Sequence, residues 1–225
     1  MQKSTDRTLT GIPGLDEILG GGFPQGRVLM ILGEPGAGKT IFCSQFLFNG
    51  ITKFGENGLL VSMDENRTHY DWEMNQFGWN FSSAEKQGKF SFVDASPIRA
   101  IPGEVKIGKV TIGRQDFSLL SLLELIRNNA KSIDAKRIVV DPVSLLIFQY
   151  PDETQRRKAL LDLVEAMTET GATCILSSEL RRVGLKGRTL QTEEYRTWSG
   201  PHANHSRRKN NGTRNPSGEN AWDQD

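Results

Sequence analysis

Residues 28–47 read VLMILGEPGAGKTIFCSQFL, a strand, a loop and a helix in one line. Val28 to Leu32 are five consecutive apolar residues, the composition of a strand buried on both faces. Gly33-Glu34-Pro35-Gly36-Ala37-Gly38-Lys39-Thr40 then satisfies G-x-x-x-x-G-K-[ST], and Ile41 to Leu47 has the character of a helix. A loop that wraps a polyphosphate with backbone N–H groups needs glycine wherever a Cβ would block close approach. The helix that follows adds further amides and a favourable dipole. The strand before and the helix after separate this run from a chance glycine-rich turn. Gly33, Glu34, Pro35, Gly36, Ala37, Gly38, Lys39, Thr40 and Ile41 are therefore the expected nucleotide-binding residues. Lys39 is expected to reach the β- and γ-phosphates and to serve turnover, and the Thr40 hydroxyl to ligate Mg²⁺. ATP with Mg²⁺ is the expected ligand.

Outward from this stretch, short apolar runs alternate with longer amphipathic ones, the pattern of an α/β fold with a mostly parallel central sheet and helices on both faces. Strands are expected at Val28–Leu32, Leu59–Met63, Phe90–Val93, Ile138–Val140 and Thr173–Leu176. Helices should follow Lys39, Arg67, Asp116 and Asp152. In the last, Asp152–Thr170, Leu160, Leu163, Val164 and Met167 form one stripe and Gly171 supplies the stop. Val105-Lys106-Ile107 and Val110-Thr111-Ile112 alternate around Gly108-Lys109, which predicts a two-residue hairpin.

Two further strand ends carry carboxylates. Arg137-Ile138-Val139-Val140-Asp141 is an apolar strand closing on Asp141, the place for an acid that orients a water on Mg²⁺. Leu59-Leu60-Val61-Ser62-Met63-Asp64-Glu65 ends in two adjacent carboxylates. A water attacking the γ-phosphate needs such a group to orient it and take its proton, so Asp64 and Glu65 are the catalytic candidates. A solvated acidic turn is the plainer alternative, and the strand-end position argues against it. Ser177 and Ser178, at the end of the run from Thr173 to Glu179, are candidate γ-phosphate sensors, with ordinary strand-end chemistry as the competing reading.

The chain has 225 residues, 28 Lys+Arg against 27 Asp+Glu, and a net charge of +1, enough for one large domain and too balanced for a strong pull on nucleic acid or anionic membrane. Cys43 and Cys174 lie in apolar contexts and read as buried, reduced thiols. The polar N-terminus argues against a signal peptide, and no apolar run approaches the roughly 20 residues that span a bilayer. A cytoplasmic location without membrane association is expected.

With Thr10-Gly11-Ile12-Pro13-Gly14-Leu15-Asp16-Glu17-Ile18-Leu19-Gly20-Gly21-Gly22-Phe23-Pro24-Gln25-Gly26 ahead of them, these stations resemble the KaiC family of RecA-like P-loop ATPases. The resemblance runs from about Thr8 to Tyr195. It implies a RecA-like NTPase core with Lys39 and Thr40 as the Walker-A pair and Asp141 as the Walker-B acid. It also implies ATP bound between the subunits of a homo-oligomeric ring, usually a hexamer. Asp64 and Glu65 fall where the family carries paired glutamates that activate water, and Asp64 is one methylene shorter than that pattern. Three functions follow as alternatives: a hydrolysing ring ATPase that signals through conformation, a nucleotide-binding regulatory module without significant turnover, or a RecA-type nucleic-acid-dependent ATPase. Arg99, Lys106, Lys109 and Arg114 around the hairpin are the candidate nucleic-acid contacts. Few aromatics accompany them, which favours a solvated ribbon.

The segment after Tyr195 is different in kind. Residues 196–225 contain no Val, Ile, Leu, Met, Phe, Tyr or Cys, and such a stretch is expected to remain a disordered polar tail beyond a core of residues 1–195. Read one base out of frame, each position of this segment admits a handful of amino acids. One of the strings so permitted is GRGVVLMQTIHVGKTMERAIQVEKMRGTK. It has an apolar run, a turn-like HVGK, and an ending that resembles the family's K-x-R-G-T segment, whose Lys and Arg reach ATP across the subunit interface. The tail is therefore expected to be a frameshifted reading of the last strands, with a natural hydrophilic tail as the alternative. Sequencing the coding DNA tests this: the displaced frame should run open from the Tyr195 codon and spell the family ending, and early stop codons would end the idea.

Overall fold

The computed structural model describes residues 6–95, 105–107, 110–112, 116–150 and 152–179. The order of elements is β1 (Arg7–Thr8), α1 (Leu15–Ile18), β2 (Phe23–Pro24), β3 (Val28–Gly33), α2 (Lys39–Asn49), a π-helical turn (Gly50–Phe54), β4 (Gly58–Ser62), α3 (Arg67–Gln76), α4 (Phe81–Lys86) and β5 (Phe90–Asp94). It continues with β6 (Val105–Ile107), β7 (Val110–Ile112), α5 (Asp116–Ser132), β8 (Arg137–Asp141), α6 (Ser144–Ile147), α7 (Glu153–Glu169) and β9 (Thr173–Glu179).

Five parallel strands form the central sheet in the order β3-β9-β8-β4-β5. Their side chains divide with a period of two. Leu59, Val61, Ile138, Val140, Cys174 and Leu176 pack on one face with α5, α6 and α7. Leu60, Val139 and Ile175 pack on the other with α2, α3 and α4. Every expected strand is present, within one residue of its expected start and three of its expected end. The expected hairpin strands pair antiparallel with Ile107 opposite Val110, while Gly108-Lys109 themselves lie outside the described residues.

Local chemistry starts the helices. The side chains of Asn66, Asn80 and Asp152 accept from the backbone N–H of His69, Ser83 and Gln155 at the starts of α3, α4 and α7, each such cap being worth about 1 kcal/mol. Leu160, Leu163 and Met167 of the expected α7 stripe are buried, with Val164 packed beside them. Gly171 follows at φ 70°, in the left-handed region that ends a helix. Both cysteines are buried free thiols. No helix among the described residues is long and apolar enough to cross a membrane.

The leading segment is pinned by polar contacts. Asp16 accepts from the backbone N–H of Thr10 at 2.8 Å and Gly11 at 2.9 Å and from the Thr10 hydroxyl at 2.7 Å. Burial alone would push the Asp16 carboxyl up, and these hydrogen bonds outweigh it, holding the group below its usual range. Arg137, wholly buried at the start of β8, donates to Glu56 Oε2 at 2.6 Å, the Phe46 carbonyl at 2.8 Å and the Leu9 carbonyl at 2.7 Å. Its guanidinium lies 4.5 Å from the Phe46 ring and 5.2 Å from that of Phe54. Gly50 makes room for it, since a Cβ there would collide with the Arg137 side chain.

Removing a buried charge's partner is expensive because the remaining group keeps its desolvation cost. Arg137→Met should lower unfolding free energy by about 3 kcal/mol, the low end for such pairs because Glu56 is a third exposed. Glu56→Gln, which leaves the buried Arg137 charge without its counterion, should cost about 3 kcal/mol as well. Urea unfolding midpoints check both, and an Arg137→Met chain as stable as the parent would remove Arg137 from this role.

Candidate nucleotide site

The loop from Gly33 to Thr40 leaves the carboxyl end of β3 and enters α2 through Gly38, whose φ is 79°. Gly36 has φ 78°, and the Ala37 N–H closes a turn onto the Glu34 carbonyl at 3.1 Å. Residues with side chains are strained at such φ, so the glycines at 36 and 38 are required by the path of the backbone. Gly33 is favoured by space: a Cβ there would lie 3.2 Å from that of Ala37, tighter than ordinary contact. Lys39 Nζ donates to the carbonyls of Gly33 at 3.1 Å and Glu34 at 2.9 Å, which sets the ammonium beside the loop.

The register of the sheet brings the other stations level with this loop. Ser62 pairs with Asp141 across β4 and β8, and the Met63 N–H donates to the Asp141 carbonyl at 2.8 Å. Gly33 pairs with Glu179 across β3 and β9. A crevice outside the carboxyl ends of parallel strands is where open α/β sheets bind ligands. The cleft found there is lined by Pro35, Gly36, Gly38, Lys39, Thr40 and Ile41 from the loop and helix, by Asp64 and Glu65, and by Asp141 and Glu179.

Within the cleft Asp141 is nearly buried, and its carboxylate accepts from the hydroxyls of Thr40 and Ser177. Burial pushes the Asp141 carboxyl above its ordinary range against the pull of those two hydrogen bonds and of Lys39, and Asp64 nearby adds to the rise. A carboxylate in this position, with a threonine hydroxyl bonded to it, is a donor set of hard oxygens that fits Mg²⁺. Asp64 and Glu65 are presented by a small turn in which Ser62 Oγ donates to the Glu65 carbonyl at 2.7 Å and accepts from the Glu65 N–H at 3.0 Å.

Each expected site residue among these is thus at the carboxyl edge of the sheet. Ser177 and Ser178 are both fully buried, and the hydroxyl of Ser177 is engaged by Asp141. Glu179 and Ser62 also line the cleft, and neither is among the expected site residues. The signal for Glu179 was its place at the end of a strand parallel to the one that feeds the loop. Tyr70, also lining the cleft, is bonded to Ser44 at 2.9 Å, with burial pushing its hydroxyl far above the usual tyrosine range. Arg99, Lys109, Arg114 and the segment from 180 onward lie outside the described residues, as does the side chain of Lys106.

Comparison with known proteins agrees with this fold. A family model described as the KaiC ATPase matches residues 8–198, so the match ends three positions beyond Tyr195. A UPF0273 protein of Pyrococcus horikoshii is 39% identical over 183 residues, covering 81% of this chain and 72% of its own length. The circadian clock protein KaiC3 of Synechocystis is 38% identical over 170 residues, 76% of this chain but 32% of that longer protein. Among solved structures, a KaiC-like protein of Pyrococcus horikoshii superposes with a TM-score of 0.66 at 33% identity, covering 82% of this chain and 74% of that one. With a parallel sheet, a glycine-rich loop at its carboxyl edge and these relatives, the chain belongs to the KaiC family of ATP-binding, RecA-fold P-loop ATPases.

Proposed function

We propose that this chain binds ATP as its Mg²⁺ complex in the cleft and hydrolyses it to ADP and phosphate. The observation that carries the reading is the convergence of Lys39, the Thr40–Asp141 pair and the Asp64-Glu65 turn on one cleft. The amides from Gly33 to Thr40 hold the triphosphate, and the Lys39 ammonium neutralises charge at the β- and γ-phosphates. Thr40 and Asp141 would hold Mg²⁺, which would supply further neutralisation of the phosphates. Ser177 keeps Asp141 aimed, and Ser178 stands as the candidate γ-phosphate sensor. Glu65 and Asp64 orient the attacking water and accept its proton, with the longer Glu65 side chain reaching further.

The homo-oligomeric ring of the family, its hexamer and its role in signalling come to this chain as part of the same proposal. If the segment after Tyr195 is a displaced frame, the Lys and Arg of a K-x-R-G-T ending are missing from residues 196–225, and ring-dependent turnover should then be weak. Asp64, a methylene short of the family's glutamate, favours the second reading, a regulatory module that binds ATP with little turnover. Steady-state phosphate release separates the two.

Lys39→Ala should weaken ATP binding at least about tenfold, ~1.4 kcal/mol, and abolish turnover; unchanged affinity by calorimetric titration would sink the assignment. Asp64→Asn with Glu65→Gln should keep ATP binding and slow phosphate release on the order of a hundredfold or more. Loss of binding in that folded double variant would move the pair out of the water-orienting role.

A further inference from the structure

A second constellation sits on the rim of the cleft. Glu65, His69 and Glu73 recur every fourth residue from the turn before α3 into the helix, a spacing that stacks side chains on one face. One ligating atom from each lies within 4.8 Å of the other two. His69 Nδ1 is 3.7 Å from Glu65 Oε2, and His69 Nε2 is 3.8 Å from Glu73 Oε1.

Two observations set this apart from a solvated surface ladder. Glu65 Oε2 is buried and accepts no hydrogen bond, a costly state for a carboxylate oxygen. Among the described residues no Lys or Arg pairs with Glu65 or Glu73, while the nearby Arg67 is taken by Asp71 and Glu85. Burial, and then the charge of Glu73, push the Glu65 carboxyl above its ordinary range. A cation held between the carboxylates relieves the orphaned oxygen and the repulsion together.

We propose that Glu65, His69 and Glu73 form a binding site for a divalent cation of the zinc class, separate from the Thr40–Asp141 pair. One imidazole nitrogen with two carboxylate oxygens is a ligand set that suits zinc. Ligand bonds of about 2.0–2.2 Å at tetrahedral angles put donor atoms roughly 3.4 Å apart. The present spacing therefore closes by side-chain rotation, and His69, 54% exposed, has room to turn its ring. Mg²⁺ prefers oxygen ligands and keeps its waters, so it competes poorly at an imidazole. The same ion would draw Glu65 away from the cleft and slow turnover. That consequence, unlike the site, rests on the role proposed above for Glu65.

Calorimetric titration of the full chain with zinc chloride, in excess Mg²⁺ to fill oxygen-only sites, tests the proposal. The chain has three histidines, so His202→Ala with His205→Ala is the control for the C-terminal segment. The parent and this control should each bind zinc at the site, whereas His69→Ala and Glu73→Gln should each lose at least about tenfold in affinity. Far-UV circular dichroism confirms that the variants are folded, and both changes lie on the surface of a helix. Undiminished zinc affinity in either variant, or no binding by the parent, overturns the site. In parallel, zinc should slow phosphate release by the parent and not by His69→Ala. Zinc that binds through His69 and Glu73 yet leaves release unchanged supports the site and counts instead against the water-orienting role of Glu65.

Discussion

The Arg137 guanidinium is enclosed by protein on every side, and every segment around it answers to that charge. Glu56 supplies the counterion, the carbonyls of Phe46 and Leu9 take two further N–H groups, and the rings of Phe46 and Phe54 lie beside its plane. These partners come from the leading segment, from α2, from the π-helical turn and from the loop after it. One side chain at the start of β8 therefore ties together pieces separated by up to 128 positions in the chain. The far end of α2 is fixed by this contact, and the near end of the same helix carries Lys39 and Thr40.

Position at the site follows from the backbone more than from individual side chains. β3, β9, β8 and β4 are neighbours, and their carboxyl ends are held level by the ladder. Asp141 closes β8, and the Met63 N–H bonded to its carbonyl carries the chain directly to Asp64. Ser62 then folds the next residues into a turn that brings Glu65 to the cleft. The low polarity around Asp141 raises the cost of its charge, so hydroxyls from Thr40 and Ser177 are needed beside it.

Much of this arrangement was legible in the sequence because it depends on local pattern. Ile138–Val140 lies buried inside the sheet as its composition announces, whereas the equally apolar Val28–Leu32, expected to be buried on both faces, forms the edge strand β3 and is only half-buried beyond Val28; the glycines at 33, 36 and 38 announce a tight loop. Asp152 and Gly171 bracket α7 by capping chemistry that needs no tertiary knowledge. What escaped depends on distant partners. Nothing in Arg137 as the first residue of a strand reveals a carboxylate 81 positions earlier. The π-helical turn at Gly50–Phe54 exists where the chain passes that guanidinium, and the short α4 is fixed by packing against β5. The step of four joining Glu65, His69 and Glu73 was present in the sequence. It became a constellation only when Ser62 bent the chain so that Glu65 leaned over the helix.

The division of each strand between two packed faces has a further implication. A slip of one position in β8 would exchange Ile138 and Val140 with Val139, driving each set toward the wrong group of helices. The same slip would carry Asp141 out of step with Ser62, away from the Thr40 hydroxyl. Correct packing of the interior and correct spacing of the acidic groups are therefore selected by a single event, the alignment of β8 with β4. A population of misaligned molecules would lose the arrangement of the cleft and compactness together, so an intact cleft in this fold doubles as a certificate of assembly.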